Sequence, residues 1–221
     1  FSASSIISSM LLGVTLGNIA LGIPLNSQKE FVGTFLGLLN PYALLVGVTT
    51  LALFMMHGCI YVVLKTEGEL HEQIRGWVNN TIIFFTICYV TTTMATLIYL
   101  PHMAERFREH PSLFVVALIN MLAVANIPRE IYHNRDWRAF HSSCAGLAAM
   151  HALYGKGVYP NMVRSTPDHQ ISQHKYTAAS SAKTLKIMLG IALLGIPVVL
   201  AYTVSVYWIF RGKVKLDATS Y

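Results

Sequence analysis

Between Pro41 and Leu64 the sequence PYALLVGVTTLALFMMHGCIYVVL runs for 24 residues without a formal charge. At about 1.5 Å per residue, a helix of that length reaches roughly 36 Å, enough to cross a hydrocarbon layer of about 30 Å. The run therefore predicts a membrane span. The rest of the chain carries the same signal: 54% of its 221 residues are hydrophobic, 12% are charged and the mean hydropathy is +0.51, which excludes a soluble domain. Sixteen Lys and Arg against ten Asp and Glu give a net charge of +6. In a soluble chain that excess would point to nucleic acid; here the cations cluster at span ends, where they meet headgroups and set topology, so no nucleic-acid partner is expected.

Long uncharged runs bounded by charge, Pro or Gly predict six spans, roughly 4–23, 41–64, 79–100, 112–127, 138–155 and 185–210. The fold class is an all-α, polytopic transmembrane helix bundle, with 1–221 as one transmembrane domain and 211–221 as a cytoplasmic tail. The fifth run, RAFHSSCAGLAAMHALYG, is rich in Ser, Ala and Gly, so it reads as a helix buried among others. Cys59, Cys88 and Cys144 lie in apolar runs without metal-ligand spacing and read as packing residues. The chain opens at Phe1 directly into FSASSIISSMLLGVTLGNIALGI with no basic segment before it. That predicts no signal peptide and a start at or near the beginning of a membrane helix.

Lys and Arg in the connections divide eight against eight between the two sides, so charge counting does not orient the bundle. The dense cluster FRGKVKLD after the last span tips the reading toward a cytoplasmic C-terminus, in a bacterial or archaeal cell (inner) membrane. In KTEGELHEQIR, Lys65 with Glu69 and Glu67 with His71 stand at i and i+4, a spacing that suits a short helical extension with a solvated charged face.

Several stretches follow one another in an ordered pattern: GNIALGIPLN after the first span, LLNPYALLVGV opening the second, HG and then KTEGELHEQIR at its end, YPNMVRST after the fifth, and SSAKTLKIML leading to LAYTVSVYWIFRGKV in the sixth. Together they resemble subunit II of the cytochrome bd family of quinol oxidases, across nearly the whole chain. Family members are longer, with about three further spans ahead of the point where this chain begins, which makes nine helices in two four-helix bundles plus a peripheral one. The missing part holds most of the family's intramembrane carboxylates linked to proton entry. The resemblance implies a membrane enzyme complex that oxidises quinol and reduces dioxygen to water, drawing protons from the cytoplasm and building a proton motive force. It implies b and d hemes in a partner, the heme-bearing subunit I of a heterodimer that small accessory subunits can join. Subunit II is then a heme-free scaffold with no catalytic residue of its own, and in some members it holds a quinone structurally.

Residue by residue, the polar groups inside the spans are the candidates. A histidine in a span is a functional candidate by default, and His57 stands alone inside an otherwise apolar run. His57, His141 and His151 fall at different depths by helix arithmetic, which disfavours any two of them as axial ligands of one heme. His57 is therefore expected to be neutral, hydrogen-bonded and packed between helices, with quinone or interface work as the sharper alternative. Asn18 and Asn40 sit near span ends, where an amide satisfies backbone groups, and they are the other quinone or interface candidates, because a quinone carbonyl needs a donor. Pro197 is expected to kink the sixth helix. Asp168, His169 and His174 in TPDHQISQHKY are donors on a polar loop, and no metal site is expected from them. Glu105 and Glu109 read as an exposed mixed-charge connection, and Glu130 and Asp136 the same at the opposite end, where carboxylates could feed protons. Two alternatives remain open on the residues alone: a polytopic secondary transporter, and a heme-binding b-type membrane cytochrome.

Overall fold

The computed structural model describes residues 1–166, 172–174 and 178–213, with the side chains of residues 106 and 174 outside that description. Seven helices dominate: α1 (Ser2–Leu21), α2 (Pro41–Lys65), α3 (Glu69–Tyr99), α4 (Pro101–Glu109), α5 (Ser112–Tyr132), α6 (Asp136–Val158) and α7 (Ala182–Ile209). A 3-10 turn at Leu36–Leu39 precedes α2, and two short antiparallel strands, β1 (Asn161–Val163) and β2 (Gln173–His174), lie between α6 and α7. The chain is an all-α, multi-pass membrane protein, as its apolar runs require.

Five helices, α1, α2, α3, α5 and α7, are long and apolar enough to cross a membrane by length and composition. By its own composition α6 does not join them, yet it packs among them. It follows α5 after the short link at His133–Arg135 and packs along it, and near its far end the Tyr154 hydroxyl donates to the carbonyl of Leu16 on α1 at 2.8 Å. Its 23 residues reach about 35 Å, the thickness its partners cross. Five helices thus qualify as crossings by length and composition, and α6 is long enough to make a sixth. The ends where Phe1, Lys65, Asn134 and Phe210 gather form the lower layer; the 22–40 loop, α4 and the β1–β2 pair form the upper one.

Packing centres on α2. Lipid tails are as apolar as leucine, so close approach and polar pairing hold membrane helices together more than apolar burial does. On α1, Gly13 and Gly17 stand four residues apart against Gly47 of α2. A Cβ at Gly13 or Gly17 would come within 2.7 Å of the Cα of Gly47 or Ala43, and one at Gly47 within 2.9 Å of the Met10 carbonyl oxygen. On its other flanks α2 supplies Leu53, Met56, Ile60 and Val63 to a core shared with Val78, Ile82 and Phe85 of α3, Ile127 and Ile131 of α5 and Ala139 of α6.

Several helix ends depart from the runs seen in the sequence. Gly68 stops α2 from running into α3: its φ of 73° lies in the left-handed region, so the backbone turns there and Lys65 and Glu69 do not share a helix. The charged segment from Glu69 onward instead begins α3, ten residues ahead of the predicted span. Pro128 does not end α5, which continues to Tyr132 although the ring removes one backbone hydrogen bond. Ile127 and Ile131, one turn apart, are both buried in the shared core and hold the last turn in place. The Glu105–Glu109 connection is helical: α4 lies across the upper layer with Met103 buried against Leu100 and Ala20. Half of the expectation for α6 holds, since Ala139, Ser143, Gly146, Ala149 and Gly157 are buried while its opposite face looks outward. In α7 no residue is buried, and Pro197 sits within the continuous helix. At its lower end the Lys65 Nζ donates to the carbonyls of Phe210 and Arg211 at 3.5 and 3.2 Å.

Candidate functional site

At the top of α1 and α2 the two candidate asparagines meet. Asn18 is 7% exposed, and its amide nitrogen donates to the carbonyls of Val14 (2.9 Å) and Leu38 (2.7 Å). Its Oδ1 accepts from Asn40 Nδ2 at 2.9 Å, while Asn40 Oδ1 accepts from the backbone N–H of Ala43 at 2.8 Å and so caps α2, with Pro41 in the first turn. An amide has two N–H donors, and both of Asn18's are given to protein carbonyls. The next turn of chain is Gly22, whose φ of 98° ends α1 and brings the strand-like Ile23 against the 159–166 loop, with Ile23 N donating to the Arg164 carbonyl at 2.9 Å.

His57 lies between α2 and α6, its Nδ1 2.9 Å from Ser143 Oγ and its ring stacked on Phe140 with centroids 5.2 Å apart. The Ser143 hydroxyl has one proton and can donate it to the Phe140 carbonyl at 2.8 Å. The Ser143 oxygen also lies within hydrogen-bond distance of His57 Nδ1, and the tautomer of His57 sets which of the two donates. His141 and His151 are on the outward face of α6, where each Nδ1 donates to its own helix, to the carbonyls of Trp137 and Leu147, both at 2.8 Å. Two imidazoles on one heme iron must converge from opposite sides. With His57 between helices and the other two turned out of the bundle, the described histidines do not fit that arrangement within this chain.

Sequence reasoning missed most of the remaining cross-helix pairs. Thr49 of α2 meets Thr92 of α3 at 2.6 Å, the Tyr42 hydroxyl meets Thr96 at 2.9 Å, Asn120 of α5 donates to the Tyr89 hydroxyl at 2.7 Å and Asn126 to Ser142 at 2.9 Å. The available signal was the presence of Thr, Ser and Asn inside uncharged runs, which in lipid must find protein partners. The Gly13–Gly17 spacing on α1 was the other missed sign, the small-residue repeat that lets two backbones touch.

Charged groups collect in the lower layer. Arg75 of α3 donates to Asp136 at 2.6 Å, to the Ile131 carbonyl at 2.6 Å and to Asn134 Oδ1 at 2.7 Å, tying three helix ends. Glu130, 3% exposed, faces Arg129 and Arg135 at 3.8 and 3.9 Å. In the upper layer a cavity of about 290 Å³ lies between Ala20, His102, Glu105, Gly157, Asn161 and Arg164. Among the described residues no group of three or more His, Cys, Asp or Glu is placed to hold a metal ion. Asp168 and His169 and the side chain of His174 lie outside the described residues.

Long apolar helices packed around the central α2, with intramembrane polar groups mostly paired to one another, define a multi-pass helical membrane protein built as a packed body. The chain belongs to the cytochrome bd terminal oxidase subunit II family, whose model matches residues 1–210. It is similar to the cytochrome bd-I ubiquinol oxidase subunit 2 of Escherichia coli, 25% identical over 96% of this chain and 64% of that protein. A probable cytochrome oxidase subunit 2 of Haemophilus influenzae is 26% identical over 98% of this chain and 64% of its own length. The cytochrome bd ubiquinol oxidase subunit 2 of Bacillus subtilis is 26% identical, over 96% and 62%. The chain thus spans less than two-thirds of the length of these relatives.

Proposed function

We propose that this chain acts as the scaffold subunit of a bd-type quinol oxidase, the partner of a heme-bearing subunit I in the oxidation of quinol and the reduction of dioxygen to water. The observation that carries the reading is the family match over residues 1–210, and the relatives' names as subunit 2 of ubiquinol oxidases point the same way. The geometry supports a scaffold in place of a redox carrier: Asn18, Asn40 and Ser143 give their donors to protein groups, and the three span histidines do not converge. The b and d hemes belong in the partner subunit. A transporter would be expected to couple an ion through an intramembrane charge, whereas the carboxylates nearest the bundle, Glu130 and Asp136, lie at a helix end beside arginines.

Three finer assignments follow from this reading. Residues 1–221 act as one transmembrane domain with the lower layer, and with it the C-terminus, in the cytoplasm of a bacterial or archaeal cell. A structural quinone bound to this chain would meet His57, whose ring nitrogens can pair with a quinone or quinol oxygen. The amides of Asn18 and Asn40 position the α1–α2 junction.

The test is to purify the full-length tagged protein in mild detergent and record an optical difference spectrum of what accompanies it. Bands from b and d hemes with a larger partner subunit, lost when this chain is stripped away and absent from it alone, are expected. A chain that purifies colourless and alone would overturn the reading, and heme retained by this chain alone would make His57, His141 and His151 the first residues to replace.

A further inference from the structure

We infer that the turn between α5 and α6 is a binding site for the phosphate of an anionic phospholipid. The turn reads REIYHNRDWR from Arg129 to Arg138, three arginines within ten residues at the end of two spans. Its construction separates the charges into those that hold the turn and those that face outward. Arg75 is consumed: three acceptors at 2.6, 2.6 and 2.7 Å close its guanidinium onto Asp136, Ile131 and Asn134, which fixes the turn and neutralises its half-buried carboxylate. Glu130 lies underneath with its side chain 4% exposed, and Arg129 and Arg135 lie over it, 67% and 51% exposed.

The contacts from Arg129 and Arg135 to Glu130, at 3.8 and 3.9 Å, are close enough for attraction and too long for hydrogen bonds. One buried carboxylate thus holds two guanidinium groups side by side against their mutual repulsion while taking none of their N–H donors. Arg129 gives one donor to Asn126 Oδ1 at a long 3.4 Å. A guanidinium has five N–H donors in a planar fork that matches phosphate oxygens, so most remain available. Arg138, one helical turn beyond Arg135, is exposed and has no acidic partner among the described residues.

The surroundings select a lipid as the source of that phosphate. Tyr132 and Trp137 flank the arginines at 84% and 62% exposure, in the place where aromatic side chains meet the headgroup region. Above Arg129 the outward face of α5 continues through Leu122, Leu118 and Val115, all more than half exposed, an apolar track for an acyl chain. Basic pockets between helix ends are a recognised setting for acidic headgroups. The site is independent of the proposed redox role.

The experiment uses the lipid-depleted full-length protein, with whatever partner it retains, in a neutral detergent. Phosphatidylglycerol and phosphatidylcholine of identical acyl chains are titrated in, and bound lipid is read by native mass spectrometry. A clear preference for phosphatidylglycerol is expected, falling about fivefold in Arg138→Gln, largely kept in Arg135→Lys, and unchanged in Lys186→Gln at the opposite end of the bundle. Arg138 has no acidic partner among the described residues, so its replacement leaves the turn assembled. Equal binding of the two lipids, or an unchanged preference in Arg138→Gln, overturns the proposal. Displacement of the lipid by millimolar inorganic phosphate alone would overturn the assignment to a lipid, because an acyl chain on α5 should resist it.

Discussion

At the scale of single residues, the Asn18–Asn40 pair has a measurable consequence. Replacing Asn18 with leucine strands the Leu38 carbonyl and leaves Asn40 Nδ2 without its 2.9 Å acceptor, in a position where only 7% of Asn18 is exposed. Each buried polar group left unpaired costs about 1–3 kcal/mol, so Asn18→Leu should lower stability by about that amount. The same change in an Asn40→Leu background should cost less, because the partner is already gone. The readout is built in: Cys88 is buried and free, so the temperature at which it begins to react with a maleimide in detergent reports the opening of the core. A full additive cost in the double variant would show that the two amides act separately. The His57–Ser143 contact predicts a parallel result. Ser143→Ala removes the hydroxyl that meets His57 Nδ1, and His57→Leu should then cost less in that background than alone. These pairs were legible in the sequence only as single polar residues in apolar runs. His57 and Ser143 are 86 residues apart, and what joins them is the rotation of α2 against α6, which an apolar-all-round helix does not encode in its pattern.

Among elements, the α1–α2 contact is set by absent side chains, and glycines elsewhere in the chain provide the control. Gly17→Leu places a branched side chain where even a Cβ would lie 2.7 Å from the Ala43 backbone, and Gly47→Leu does so against the Met10 carbonyl at 2.9 Å. Either must separate the two helices, at a cost of about 1–3 kcal/mol or more, and pull the Asn18–Asn40 pair apart with them. Gly190→Leu and Gly195→Leu in α7 meet nothing within 4 Å and should leave the onset of cysteine reactivity unchanged. Equal losses at all four positions would mean that helix propensity or detergent, and not the close approach, governs the result. The run lengths located six helices to within a few residues at most ends, five of them long and apolar enough to be spans and the run at 138–155 not, because span length is fixed by the thickness to be crossed. They misplaced the start of α3 and the end of α5, where local chemistry competes with packing: charge alone did not end a helix at Glu69, and Pro128 did not end one whose next turn is buried.

For the whole molecule, the composition of α6 makes the number of crossings a testable quantity. Five helices qualify as spans on their own, and α6, tied to α1, α2 and α5 through Tyr154, Ser143 and Asn126, is expected to cross with them. Six crossings place Phe1 and Phe210 on one side, so the 22–40 loop must face the other. Charge counting left the orientation level, because the arginines of the α5–α6 turn are balanced by cations in the upper connections, and only the terminal cluster breaks the tie. In a background with its three native cysteines replaced, Ser27→Cys in the upper loop and Gly212→Cys after α7 can be probed in intact cells with a membrane-impermeant maleimide. Labelling of Ser27→Cys alone, with Gly212→Cys reacting only after permeabilisation, is the expected pattern. The reverse pattern would keep six crossings and turn the bundle over, moving the arginine turn to the outer surface. Labelling of both, or of neither, would mean an odd number of crossings. Then either α6 fails to cross despite its ties, or α7, which has no buried residue to fix it, lies elsewhere. Adding Tyr154→Phe separates those two cases: if the upper end of α6 depends on its bond to Leu16, only the α6 explanation changes the labelling when that bond is removed.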